Sequence, residues 1–216
     1  SHELRTPLTV LKGQNELVLS KQRKLEEYQE VISSNLEEIN YMSKVLEDLF
    51  VLSKSDENQV NLDCKKVDLR ALVEEVCKHA EVLAEEKNIK IVITFLEPTE
   101  VKGDEVRLRQ MVWNVLQNGI KYTQQGGELK ISLQNEGGFA LLTIQDTGIG
   151  IAEEDLPLIF NRFYRVDKAR TRDEGGSGLG LSICRQIAEA HKGKIEVESK
   201  LGVGTRFKIR LPNSAC

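Results

Sequence analysis

The sequence predicts an α+β protein in two parts: a helical hairpin over residues 1–54 and an α/β sandwich over 67–213. Three observations carry this. In the first part, apolar residues recur at spacings of three, four and seven, the helix period. A polar, unpatterned stretch follows (SKSDENQVNLDCKK, 53–66), which reads as a linker over 55–66. From Val67 onward, short strand-like runs and helical segments mix without strict βαβ alternation.

Leu4, Leu8, Leu11 and Val18 place an apolar stripe on the first helix. Ser20–Lys24 breaks the pattern. Tyr28, Ile32, Asn35, Ile39, Met42, Leu46 and Leu49 then alternate spacings of four and three, an a/d seam. Two helices bury such narrow stripes poorly, and a dimeric four-helix bundle buries them well. The hairpin is therefore expected to dimerise; packing on its own C-terminal domain is the simpler alternative. Beyond the linker, Leu69, Leu72, Val73, Val76, Ala80 and Leu83 mark an amphipathic helix, and Ile89–Phe95 a short strand. A helix is expected over about 105–122, and strands over about 128–135 and 139–145. A glycine-rich stretch leads to a helix over about 179–191. Strands near 194–199 and 204–211 close the chain.

Composition narrows the function classes. Of 216 residues, 40% are hydrophobic and 30% charged, which supports one or two cores. The net charge of -4 is mild and dispersed, so no nucleic-acid surface or direct membrane contact is expected of this fragment. No apolar run approaches the ~18–20 residues needed to span a bilayer. The chain opens on Ser-His-Glu without a signal peptide, and its first residues already read as uncapped helix, so it reads as a piece of something longer. Cys64, Cys77, Cys184 and Cys216 have no metal-ligand spacing and are expected to be reduced structural thiols.

Three segments carry chemistry. On the 105–122 helix, Asn114, Asn118 and Lys121 stand four and three residues apart, on one face, with Tyr122 at its border. Amide oxygens are hard ligands suited to Mg²⁺. The lysine can neutralise phosphate, and the tyrosine ring can stack on a base. A solvated polar helix face would look similar. Next, Asp146-Thr147-Gly148-Ile149-Gly150-Ile151 follows a strand. The aspartate can accept from an exocyclic amine, and the glycines let backbone approach a planar ring. Finally, Gly175-Gly176-Ser177-Gly178-Leu179-Gly180-Leu181 opens a helix whose free N–H groups suit phosphate. It is neither a P-loop nor a Rossmann fingerprint, since no Gly-Lys-Ser/Thr occurs and no strand leads in. Asn118, Asp146 and Gly176 are separated by about thirty residues each. Between the last two lies Ile159–Tyr164, then a charged segment (RVDKARTRDEGGSG) that reads as a mobile lid with an aromatic hinge. At the N-terminus, His2 opens the seam helix with Glu3 beside it and Thr6 one turn on. A neutral imidazole is a competent nucleophile, and a carboxylate can hold its other proton. Pro7 is placed to bend the helix there.

In this order the motifs resemble those of the bacterial two-component sensor histidine kinases. SHELRTPLT resembles their phosphoacceptor box, NVLQNGIKYT the N box, DTGIGI the G1 box, IFNRFYR the F box, GGSGLGLSI the G2 box and GVGTRF the closing turn. The resemblance spans essentially the whole chain. It implies an ATP-binding sandwich of the histidine kinase and Hsp90-like ATPase type, with ATP and Mg²⁺ as cofactors. It implies autophosphorylation of His2 and transfer to an aspartate of a response regulator's receiver domain. The hairpin would form the homodimer, the fragment would be cytoplasmic, and the whole protein would be anchored in the inner membrane.

Residue by residue, the resemblance implies His2 as phosphoacceptor and Glu3 as its base, with Thr6 orienting water during dephosphorylation of the partner. Asn118 would hold Mg²⁺, with Asn114 nearby. Lys121 would meet phosphate and Tyr122 the base or ribose. Asp146 would read the adenine amine beside Gly148, Gly150 and Ile151, with Phe163 flanking. Arg165 could reach the γ-phosphate. Gly176, Gly178, Leu179 and Gly180 would cradle phosphates, and Thr205 would support the adenine pocket. Gly119 departs from the alanine common in the family, and the first helix is short before His2. Two other classes share features: a related-fold ATPase or serine kinase, and a non-catalytic nucleotide-binding scaffold. The box around His2 argues against the first, and the intact polar motifs against the second.

Overall fold

The computed structural model describes residues 2–56, 62–166 and 176–214, and the side chains of residues 2, 3 and 54–56 lie outside that description. The chain divides into two compact units, residues 1–56 and 57–216.

The first unit is a hairpin of α1 (His2–Leu19) and α2 (Leu25–Asp56). α1 runs on through Pro7, which has no N–H to bond one turn back. Glu27 accepts from the Lys24 backbone N–H at 3.3 Å and pairs with Arg23 at 2.9 Å, which closes the start of α2. Two polar ties join the arms: Gln14 Nε2 donates to Ser34 Oγ, and Asn35 Nδ2 to Asn15 Oδ1, both at 3.1 Å. The apolar seam is left open. Leu25, Ile32, Ile39 and Leu46, seven residues apart, are 68%, 58%, 45% and 55% exposed.

The second unit begins with β1 (Lys65–Asp68), which starts inside the stretch read as linker. It pairs antiparallel with β3 (Glu100–Gly103). Sequence reading did not find either strand. Between them run α3 (Leu69–Glu86) and β2 (Lys90–Leu96). After β3 come α4 (Glu105–Tyr122), β4 (Glu128–Glu136), β5 (Phe139–Asp146), α5 (Gly180–Ala190), β6 (Lys194–Lys200) and β7 (Gly204–Pro212). The main sheet has the order β2-β4-β5-β7-β6, with β2 and β4 parallel across the α4 crossover and the other pairs antiparallel.

One face of that sheet is apolar because strand alternation puts it there. Ile131 stands opposite Ile144, and Leu133 opposite Leu142; on the next strand, Ile144 meets Phe207 and Leu142 meets Ile209. These side chains are buried with Val73 and Val76 of α3, Leu108, Met111 and Leu116 of α4, and Ile183 of α5. Each fully buried leucine or isoleucine contributes about 1.5–3 kcal/mol over an exposed one. The opposite face carries Thr94, Lys130, Ser132, Thr143, Gln145, Arg206 and Lys208 around a shallow polar hollow. α3 and α4 have aspartate caps: Asp68 accepts from Ala71 N–H at 3.0 Å and Asp104 from Arg107 N–H at 3.2 Å.

Among the described cysteines, one departs from expectation. Cys77 and Cys184 are buried thiols, and burial pushes Cys77 up to about 12. Cys64 is instead disulfide-bonded. It sits half-buried in irregular chain just before β1, outside the apolar packing that shields the other two. Composition and spacing carried no sign of that pairing.

Candidate functional site

The second unit gathers the separated motifs at one end of the α4–α5 pair. Helical spacing puts Asn114, Asn118 and Lys121 on one side of α4. Asn114 is buried, and its Nδ2 donates to the Gly180 carbonyl at 3.4 Å. That bond fixes the amide's orientation. The start of α5 therefore lies against the middle of α4. Lys121 Nζ lies 3.1 Å from the point a Cβ on Gly176 would occupy, so the lysine overhangs the glycine loop. The same ammonium sits 4.9 Å from the centre of the Tyr122 ring, within cation–π range. Asn118 and Lys121 are half-buried, and Tyr122 is exposed.

Asp146 ends β5 in a buried position. Its Oδ1 accepts from the Gly148 N–H at 2.8 Å and the Thr205 N–H at 3.1 Å. Burial raises its pKa, and the two backbone donors oppose that rise. Oδ2 takes neither bond. Gly148 lies close to the end of α4: a Cβ there would sit 2.5 Å from the Tyr122 carbonyl oxygen. The same carbonyl accepts from Ile149 N–H at 3.2 Å. Gly150 has φ +69° and backs onto the Lys200 carbonyl, where a side chain would collide. Ser199, which sequence reading missed, ties this region together. It accepts from Ile151 N–H and donates to the Gly204 carbonyl, both at 2.8 Å, and lies 2.9 Å from Thr205 Oγ1. Nothing in the sequence separates it from the other polar residues of β6.

Phe163 meets the glycine loop directly. Its N–H donates to the Gly178 carbonyl at 3.0 Å. Both residues have positive φ, +64° and +71°. A left-handed phenylalanine is uncommon and costs roughly 1–3 kcal/mol of strain, so the surrounding packing must hold it. Tyr164 anchors the segment by donating to Asp155 Oδ1 at 2.5 Å. Leu179 is fully buried, and its N–H donates to Ser177 Oγ at 3.3 Å. Arg165 is half-buried, and no bond among the described residues ties it to these motifs. Residues 167–175 of the expected lid lie outside the described residues. His2 and Glu3 stand on the first turn of α1 with Thr6 one turn later; these belong to the first unit.

Gly119, the departure from the family's alanine, has a packing reason. A Cβ there would come within 2.8 Å of Leu129 Cδ2. The helix can thus lie close on β4.

Residues 1–58 match the His Kinase A (phospho-acceptor) domain, and 103–215 match the histidine kinase-, DNA gyrase B-, and HSP90-like ATPase family. The chain belongs to the sensor histidine kinases. It is 39% identical to the sensor histidine kinase CusS of Escherichia coli O6:H1 over 98% of this chain and 44% of that protein. It is 35% identical to the sensor protein IrlS of Burkholderia pseudomallei over 100% of this chain and 46% of that one. This kinase chain therefore spans less than half the length of these curated relatives. Among solved structures, the histidine kinase AdeS of Acinetobacter baumannii matches 99% of this chain and 98% of its own, with TM-score 0.79 and 29% identity. Full-length ShkA in complex with AMPPNP matches 100% of this chain and 45% of its own, with TM-score 0.77 and 26% identity.

Proposed function

We propose that this chain moves the γ-phosphoryl group of ATP to His2 and then passes it to an aspartate on a response regulator's receiver domain. The observation that carries the proposal is the meeting of Lys121 and Asn114 with the glycine loop at the start of α5. An ammonium, an oriented amide and a helix N-terminus converge where polyphosphate would lie. Asp146 supports the adenine end. Two backbone donors occupy its Oδ1, which leaves Oδ2 for an exocyclic amine. A neighbour of similar fold was solved with AMPPNP, and the histidine kinase ThkA, of similar fold, was solved with the response regulator TrrA.

The chemistry asks little covalent work of the protein. An imidazole nitrogen of His2 attacks the γ-phosphorus, the bond to the bridging oxygen breaks, and ADP leaves. Glu3 holds the proton on the other ring nitrogen, and Lys121 offsets phosphate charge. Tyr122 lies beside the base, Gly148, Gly150, Ile151 and Thr205 shape its pocket, and Gly176, Gly178, Leu179 and Gly180 present N–H groups to phosphate. Phe163 holds the loop, and Arg165 reaches the γ-phosphate. Thr6 orients water when the kinase dephosphorylates its regulator.

Mg²⁺ fits this donor set. No cluster of three acidic, histidine or cysteine side chains that could hold a metal occurs among the described residues. Asn118 and Asn114 supply neutral amide oxygens instead, suited to an ion that takes its other ligands from phosphate and water. When bound, Mg²⁺ would neutralise phosphate charge.

The exposed heptad of α2 supports a homodimer through the hairpin. No described helix is long and apolar enough to cross a membrane. The relatives are sensor kinases of more than twice this length, which fits a catalytic fragment on the cytoplasmic side of a membrane-anchored protein. The test is incubation with Mg²⁺ and γ-labelled ATP, comparing wild type with His2→Gln. Acid-labile, alkali-stable label that vanishes in the variant is expected. Acid-stable label, or label that persists in the variant, overturns His2 as acceptor.

A further inference from the structure

The ends of α4 and α5 remote from the glycine loop meet at a buried histidine that has no part in the mechanism above. His191 is 2% exposed. Its Nε2 lies 2.9 Å from the Asp104 backbone nitrogen, and its Nδ1 lies 2.8 Å from the Ile187 carbonyl oxygen. The carbonyl can only accept, so Nδ1 carries a proton; the Asp104 N–H can only donate, so Nε2 is bare. The ring is thus the neutral Nδ1–H tautomer. Burial lowers its pKa, against the opposing pull of the Ile187 bond and the Asp104 charge. Room for the ring is built in. A Cβ on Gly103 would come within 2.9 Å of His191 Cδ2 and 2.8 Å of Leu108 Cδ1.

Asp104 joins three segments. Its Oδ1 caps α4 at Arg107, and its N–H meets the residue that ends α5. Its Oδ2 accepts from Asp63 N–H at 3.2 Å. Asp63 lies on the chain that leads into β1.

The histidine contact is also one rung of a ladder. Met111 O accepts from Cys184 Sγ at 3.5 Å, and Asn114 Nδ2 donates to Gly180 O at 3.4 Å. From Asp104 to Met111 is seven residues, as it is from His191 back to Cys184. From Met111 to Asn114 is three, and from Cys184 back to Gly180 four. The rungs therefore follow a single antiparallel register. Helices rise ~1.5 Å per residue as stiff rods, so a shift at the His191 end displaces Asn114 against Gly180 at the other.

We propose that His191 is a positioning residue: in its neutral form it locks α4 against α5 through Asp104, and so sets the nucleotide-facing side chains against the glycine loop. This rests on the reading of that face as the nucleotide site. Asp104 is the charge that acts on the ring. Glu105 of α4, Lys102 of β3, Glu189 of α5, Lys192 of the following turn and Arg210 of β7 are exposed, and Arg107 is half-buried. Protonation of Nε2 would set one donor against another at Asp104 and open the top rung.

The test measures Mg²⁺-ATP affinity in the full chain through Trp113 fluorescence, from about pH 5 to about pH 8. Wild type, His191→Gln and His191→Ala are compared. Glutamine can accept from Asp104 N–H and donate to Ile187 O, and it does not titrate. It should match wild type at neutral pH. At the acid end wild type should bind roughly tenfold more weakly than the glutamine variant, the scale of one lost buried hydrogen bond. Titration of ATP itself is common to all three and cancels in the comparison. The alanine variant should be roughly tenfold weaker than wild type at neutral pH. Identical pH profiles for wild type and His191→Gln overturn the proposal, and so does a folded alanine variant that binds like wild type. If wild type binds no nucleotide, the site reading is what fails. Amide exchange in α4 and α5 then decides the junction. Faster exchange in wild type than in His191→Gln at the acid end supports it, and equal exchange sinks it.

Discussion

The two units hold themselves together by different means. The sandwich encloses its apolar residues within a single chain: Ile131, Leu142 and Ile209 of the sheet and Met111 and Leu116 of α4 are all essentially inaccessible to water. The hairpin displays its own. Leu25, Ile32, Ile39 and Leu46 form a straight heptad stripe on α2 that stays roughly half or more exposed. A closed core makes stability a property of one chain. In the proposed homodimer an open heptad makes it a property of two, and therefore of concentration. In that dimer, an element held by its partner can be re-registered without unfolding the sandwich.

The sharpest way to break this contrast is to charge the stripe. Ile32→Lys with Ile39→Lys removes four buried isoleucines per dimer, at ~1.5–3 kcal/mol each. Light scattering should show a monomer at concentrations where wild type is dimeric. Calorimetry should show the concentration-dependent transition lost and the sandwich transition unmoved. A dimer that survives the double substitution would place the seam elsewhere.

The converse variant strikes the closed core. Leu116→Ala, at a residue with no exposed surface, should cost about 2–5 kcal/mol in the sandwich transition. The dimerisation constant of the hairpin should not change. Movement of both transitions together would show that the units do not unfold separately.

Asp146→Asn separates site chemistry from stability within the sandwich. The asparagine oxygen can still accept from Gly148 and Thr205, but the amide group in place of Oδ2 cannot accept from an amine. ATP affinity should fall roughly 10–100-fold by calorimetric titration. Apo stability should hold or rise at neutral pH, because a buried carboxylate with a raised pKa opposes folding while it is charged. The sign follows: the wild-type group favours folding fully below the ordinary carboxylate pKa and loses that as pH climbs through its raised value. The stability gap between variant and wild type should therefore narrow as pH falls. A variant with full ATP affinity would remove Asp146 from base recognition.

What could be seen in the sequence depended on physical period. The helices that carry Asn114, Lys121 and Gly180 show in apolar spacing, and so do the long strands, since a run of seven to nine residues repeats its alternation several times. β1 and β3 escaped because each has four residues, with one or two buried, too few to show a period. The motifs located the glycine loop and Asp146, which depend on residue type. They missed Ser199 and His191, whose places in the structure come from contacts across 48 and 87 residues. Nor could they show the left-handed backbone of Phe163, a residue type that rarely adopts it.

The smallest expected effect concerns a single cap. Asp68 ends β1 and caps α3 through the Ala71 N–H, at the junction where the sandwich begins. Asp68→Ala leaves that donor to water, at a cost of about 1 kcal/mol. The backbone bond from Leu69 N–H to the Thr99 carbonyl, 2.9 Å long, does not depend on the side chain and should keep β1 and β3 in place. The loss should appear only in the sandwich transition, as a shift of a few degrees, with ATP affinity and dimerisation unchanged. Asp68→Asn should recover most of it, since asparagine is a cap of similar strength. If the alanine variant also weakened the dimer, the start of α3 would be coupled to the hairpin, and the division between a self-contained unit and a partner-dependent one would have to be redrawn at β1.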